Sequence, residues 1–120
     1  MEKFDMLGPF ELSEEGIDGN VPESPGVYAL GYLDEDDSFV VCYVGRSDDI
    51  LNEKLTGWVD AIARYTHFQY VTTESAEEAF IQECHNYHDY GGSDILYNSN
   101  HPYRTEKTDW VCPRCPFYGR

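Results

Sequence analysis

GVYALGYLDEDDSFVVCYVGRSDDILNEKL, residues 26–55, reads as a hairpin that feeds a helix. Val27 to Leu33 is apolar and aromatic, Asp34-Glu35-Asp36-Asp37-Ser38 is a polar turn, and Phe39 to Val44 is apolar again. Two strands with a solvated loop between them follow from that pattern. Gly45 closes the second strand, and Ser47-Asp48-Asp49 offers N-cap and first-turn residues for a helix. Each strand carries a tyrosine beside a glycine, as Gly26-Val27-Tyr28 and as Tyr43-Val44-Gly45. The hairpin brings both phenols toward one region next to the helix.

Downstream, Leu51, Leu55, Trp58, Ile62 and Tyr65 recur at spacings of three and four, so a first helix is expected from about Asp48 to Tyr65. Gly57 weakens it by roughly 1 kcal/mol relative to alanine. Thr66 to Thr73 (THFQYVTT) alternates and is rich in β-formers, which predicts a third strand. Ser75 followed by Glu78 forms a capping box for a second helix, which stops at Gly91-Gly92. Upstream, Phe4, Met6, Leu7, Phe10 and Leu12 are scattered among acids, and Pro22 and Pro25 end any helix before the first strand. The expectation is an α+β chain: an N-terminal arm (1–25) laying aromatics on the sheet, a core (26–98), and a loop-rich tail (99–120). The core would hold a three-stranded antiparallel sheet flanked by helices.

A chain of 120 residues supports one domain, and 41% hydrophobic with 15% aromatic content excludes a disordered segment. No apolar run reaches the length of a membrane span, and MEKFDMLGPFELSEE is too acidic for a signal peptide, so a cytoplasmic protein without membrane contact is expected. The net charge of -15, with lysine only at Lys3, Lys54 and Lys107, opposes nucleic-acid binding, which draws on Lys and Arg to neutralise phosphates. Three readings accommodate it. A salty host would shorten the repulsion to ~3 Å at 1 M. A local basic patch of Arg46, Lys54, Arg64 and Arg104 would suffice on an acidic surface. Or the domain binds a protein partner and no nucleic acid.

Cys112-Pro113-Arg114-Cys115 is a knuckle lacking a second CxxC. Cys84 and His88 lie four apart on the second helix and project from one face. Cys84, His88, Cys112 and Cys115 therefore predict a closed, structural Zn²⁺ site that staples the tail to this helix. His101 and His85 are the alternative ligands, and His101 could instead contact substrate. Cys42 reads as core packing, and Trp110 as packing on the sheet or the second helix. The rival is an ordinary core Cys84 with a redox-active or idle knuckle.

The two tripeptides, with Arg46-Ser47 and a helix behind them, resemble the GIY-YIG nuclease superfamily. Ala79-Phe80-Ile81-Gln82-Glu83 looks like the family's helix with a metal-binding glutamate, and Leu96-Tyr97-Asn98 like its closing element. The resemblance implies Mg²⁺-dependent endonuclease cleavage of DNA phosphodiesters. Tyr28 would act on the attacking water as general base, or in a relay with Tyr43. Glu83 would bind one Mg²⁺, and Asn98 would hold the phosphate or order the site. The family's catalytic arginine falls in a stretch that reads Leu51-Asn52-Glu53-Lys54-Leu55 here, so Lys54 stands where it is expected. Lysine keeps the charge but not the bidentate fork, and Arg46 is the second candidate for the cationic role. Each residue also has a plainer reading. Tyrosines in strands usually pack, Glu83 and Lys54 suit a solvated helix face, and asparagines make turns. The functional alternative is accordingly a catalytically weakened binding module of the same fold.

Overall fold

A computed structural model describes residues 6–98 and 100–117. The hairpin forms, with β2 at Gly26–Leu33 and β3 at Phe39–Ser47, antiparallel about the 34–38 turn; Gly45 does not close the second strand, which stays paired with β2 as far as Ser47. Between Leu30 and Gly31 the register slips by one residue, leaving Cys42 unpaired in a bulge. A bulge turns the side chains beyond it. Here Cys42 and Tyr43 pack on the same core cluster, while Val41 and Val44 face another.

The sheet has four antiparallel strands rather than three, in the order β1-β4-β2-β3. Residues expected to be an arm form the edge strand β1 (Leu7–Glu11) and a short helix α1 (Glu14–Asp18). β1 covers the edge of β4 (His67–Thr72) that would otherwise be open, and Phe10 lies 5.7 Å from the Phe68 ring and 6.0 Å from Tyr70. Five residues around cis-capable Gly8-Pro9 are too short and irregular to show alternation, so composition alone reads as an arm. Ser13 caps α1 by accepting from the Gly16 N–H at 3.0 Å, and Ile17 plugs the core. Phe4, also counted among the arm's apolar residues, lies outside the described residues.

The first predicted helix is much shorter than its spacing suggests. α2 spans Leu51–Thr56, and Gly57 ends it. Leu51 and Leu55 are fully buried as expected, but Ile62 is exposed, and Asp60 adopts a left-handed conformation that breaks the helical path. Trp58 and Tyr65 still pack, as rings around Tyr43 (centroids 5.0 and 6.3 Å). Ring stacking on a strand residue has produced the same three-and-four spacing as a helix face. Nor do Ser47 and Asp48 cap this helix; the N-cap is Ile50, with no side-chain bond. Asp48 is turned to Arg46 instead.

α3 (Ala76–Asp89) agrees closely with its prediction. Ser75 accepts from the Glu78 N–H at 3.1 Å, although Glu78 reaches the Glu74 N–H rather than that of Ser75. The helix gives way to Gly91 at φ +96°, where an added Cβ would run into Ile95. Tyr28 and Leu30 of β2 point into a cluster with Ile17, Leu51, Leu55 and Phe68, while Ala29 and Val44 meet Tyr87 of α3 on the opposite face. The sheet is thus covered by α1 and α2 on one side and α3 on the other. Among the described residues, no helix is long and apolar enough to cross a membrane.

Candidate active site and candidate metal centre

Tyr28 and Gly45 are directly opposed in the β2–β3 register, and the Tyr28 ring lies across the space a Cβ at position 45 would fill. Glycine there is what lets the phenol lie flat against β3. Trp58 Nε1 donates to the Tyr28 hydroxyl at 2.9 Å, so the ring is held from both sides. One residue beyond Gly45 and still within β3, Arg46 meets Glu83 arriving from α3. Arg46 Nη1 donates to Glu83 Oε1 at 2.7 Å and its Nε to Asp48 Oδ1 at 2.7 Å. The two side chains of the first pair are 12% and 11% exposed, so this ion pair is recessed. The guanidinium lies 5.2 Å from the Phe80 ring centre and 6.0 Å from that of Trp110. Such a cage holds a cation by charge and by ring quadrupoles.

A cavity of about 430 Å³ is lined by Tyr28, Tyr43, Arg46, Lys54 and Glu83, together with Asp48, Asp49 and Tyr103. A second, of about 200 Å³, adjoins it through Tyr43, Glu83 and Tyr103 and adds Asn98 and His101. All six residues singled out as catalytic therefore line one of two adjoining spaces. Their roles separate. Arg46, not Lys54, engages the carboxylate; Lys54 is exposed at the wall of the larger cavity. Asn98 spends both ends of its amide on Val44, accepting from its N–H at 3.0 Å and donating to its carbonyl at 2.8 Å. It closes the outer edge of β3 with the Tyr97 N–H, which donates to the Cys42 carbonyl at 2.7 Å. This fits ordering of the site and not phosphate holding.

Burial sets the protonation states. Glu83 is pushed up to about 7 by desolvation, with Arg46 pulling the other way. Burial, and then the neighbouring Tyr43, raise Tyr28 far above the ordinary phenol range; burial, and then Glu83, raise Tyr43. Both phenols are held neutral. Sequence reasoning missed Asp48, Tyr103 and Thr105 here. Thr105 accepts from Arg46 Nη2 at 3.3 Å and donates to Asp48 Oδ2, so the tail grips the ion pair directly. Asp48 had a weak signal, two residues from an arginine; Thr105 had none.

Among the described residues, His88, His101, Cys112 and Cys115 form a group that could hold a metal ion, their ligand atoms all within 4.8 Å of one another. Cys112 Sγ is 3.5 Å from His88 Nε2 and 3.7 Å from Cys115 Sγ, which is 3.3 Å from His101 Nε2. His88 is kept neutral by burial and by His101 beside it. The Arg114 N–H donates to Cys112 Sγ at 3.4 Å, and Arg114 Nη1 to Asp89 at 2.7 Å, tying the knuckle to the end of α3. Three of the four expected ligands, His88, Cys112 and Cys115, are in this group, and its fourth member is His101, the alternative ligand, rather than Cys84. Cys84 lies one turn before His88, fully buried in an apolar cluster with Phe80 and Cys112. Burial and then the adjacent Cys112 push its thiol up. His85, the other alternative, is buried near Arg114 instead, 3.4 Å from Nη1. Cys42 packs in the core as expected, and Trp110 packs on Phe80 of α3 at 5.7 Å.

No protein-family model matches this chain, and no curated protein or solved structure matches it either.

Proposed function

We propose that the chain is a GIY-YIG-type endonuclease that hydrolyses DNA phosphodiester bonds with Mg²⁺. One observation carries this: Tyr28, Tyr43, Arg46, Lys54 and Glu83, drawn from two strands and two helices, line a single cavity large enough for a phosphate and its waters. The donor set suits Mg²⁺, which takes one or two carboxylates and keeps several waters. Glu83 is a buried carboxylate whose raised pKa marks negative charge that a second cation would stabilise. When bound, Mg²⁺ supplies Lewis acidity and lowers the pKa of its water.

The chain's own residues supply the rest. Arg46 and Lys54 offset charge growing on the phosphoryl oxygens. Arg46 takes the cationic role expected of the family arginine, because it is the one fixed in place. The buried, neutral phenols favour donating a proton to the leaving oxygen over removing one from water, which shifts Tyr28 away from the general-base role that the resemblance implied. Zn²⁺ in the His88–His101–Cys112–Cys115 group serves structure. Bonds of about 2.3 Å to sulfur and 2.0–2.1 Å to nitrogen would give tetrahedral edges of about 3.3–3.8 Å, close to the Cys112–His88, Cys115–His101 and Cys112–Cys115 spacings of 3.5, 3.3 and 3.7 Å within a group spanning 4.8 Å. With four protein ligands it leaves no open position for chemistry.

A binding module without catalysis is the second reading, favoured by Arg46 being already paired with both Glu83 and Asp48. Plasmid nicking across salt and Mg²⁺ separates the two. Nicking by the wild type that disappears in Glu83→Ala supports the nuclease. Protein that is folded yet inert at every salt concentration rejects it in favour of the module.

A further inference from the structure

We infer that the cavity takes an unpaired nucleotide, from a single strand, a flap or a frayed strand end, with Tyr103 as the surface on which its base stacks. This rests on the phosphodiesterase reading and narrows its substrate class. Three observations converge on it.

The first is depth. The Arg46–Glu83 pair that would meet the phosphate is part of the cavity lining and is itself recessed, nearly closed to solvent. A phosphate of an intact duplex lies on a stiff cylinder between charged neighbours, and reaching the pair would press that backbone against the rim. A strand free to bend can lower one phosphate inward.

The second is the rim itself. Tyr103 is 57% exposed, yet it lines both adjoining cavities, alongside half-buried Tyr43. Its position is fixed on either side in the chain. His101 belongs to the metal-ligand group, and Thr105 is bonded to Arg46 and Asp48. An exposed aromatic ring on an anchored segment, beside a phosphate-sized recess, is the arrangement by which single strands are held, since every base has a face to stack.

Charge is the third. Duplex DNA carries one negative charge per ~1.7 Å of its axis, and its affinity comes mostly from lysines and arginines tracking that backbone. A chain of net charge -15 offers few. Stacking is little affected by salt or by net charge, so a base platform is the contact such a protein can use.

The test uses the full, zinc-loaded chain and one labelled sequence presented as single strand, blunt duplex and duplex with a flap. Cleavage is followed with Mg²⁺, and binding by fluorescence anisotropy without it. Single strand and flap should be cut and bound, and blunt duplex at least tenfold less well on the scale of a lost stacking contact. Tyr103→Ala should weaken single-strand binding by about 5- to 150-fold with an unchanged salt slope, and Tyr103→Phe should restore it, because the ring and not the hydroxyl stacks. Duplex cut as fast as single strand, or Tyr103→Ala binding like the wild type, overturns this inference and leaves the nuclease reading standing. Tyr103-dependent binding of single strands with no cleavage of any substrate upholds the ligand class and rejects the nuclease. Neither binding nor cleavage rejects both.

Discussion

Glu83 is an acid whose burial costs more than its partner returns. Its pKa rises from the ordinary 4.5 to about 7 in the fold. Between those values the folded chain keeps a proton that the unfolded chain has lost, so this group's contribution to stability falls as pH rises through the window. Above it, the ionised carboxylate costs the Mg²⁺-free fold about 3 kcal/mol, at about 1.4 kcal/mol per pKa unit. In Mg²⁺-free buffer, the stability of wild type relative to Glu83→Gln should therefore fall by a comparable amount between pH 5 and pH 8, read by urea unfolding. Mg²⁺ should recover part of it at pH 8 in the wild type only. A wild-type advantage that grows with pH would mean that Arg46 holds Glu83 as an ordinary carboxylate.

With Zn²⁺ in the proposed group, the tail would be stapled at its ends and used in its middle, which would make it the element most dependent on metal. Between His101 and Cys112 run Tyr103 at the cavity wall, Thr105 on the ion pair, and Trp110 over Phe80 and Arg46. Little apolar area holds this segment otherwise, whereas the sheet and α3 have their own cores. His101→Ala should lower zinc content well below one per chain, shift Trp110 fluorescence toward the exposed value and open the tail to protease while the sheet persists. Cys84→Ala should keep its zinc and lose roughly 1–2 kcal/mol of stability for the small cavity it leaves. Zinc lost from Cys84→Ala and retained by His101→Ala would restore the ligand set read from helical spacing. That spacing shows which residues share a helix face. It says nothing of a loop that crosses the end of the helix, and His101 arrives by such a loop.

At the scale of the molecule, the surplus of acid acts on the fold as a whole. Like charges on one small domain repel, and salt screens them, with a Debye length of about 10 Å at 0.1 M and 3 Å at 1 M. The melting temperature should climb as KCl is raised from about 0.01 M to 1 M. A melting temperature that stays flat or falls would show that local pairs such as Arg46–Glu83 and Arg114–Asp89 outweigh the net charge. The same screening favours approach of a nucleic acid while weakening any phosphate contact, so binding should depend on salt less steeply than in a basic protein.

Local patterns sufficed for the β2–β3 hairpin, β4, the Ser75-capped α3, the Gly91 stop and the Cys112–Cys115 knuckle, because each is set by neighbours within a few residues. The resemblance carried by the two tripeptides and the two later motifs named Tyr28, Tyr43, Arg46, Lys54, Glu83 and Asn98, though not what each would touch. Only tertiary contact decided that Arg46 pairs with Glu83, that Asn98 clasps Val44, that β1 completes the sheet, and that His101 comes to lie beside His88, Cys112 and Cys115. The division is physical. Propensity and periodicity act along the chain, whereas an ion pair spanning residues 46 and 83, or a ligand set spanning 88 and 115, exists only once the core has brought those segments together.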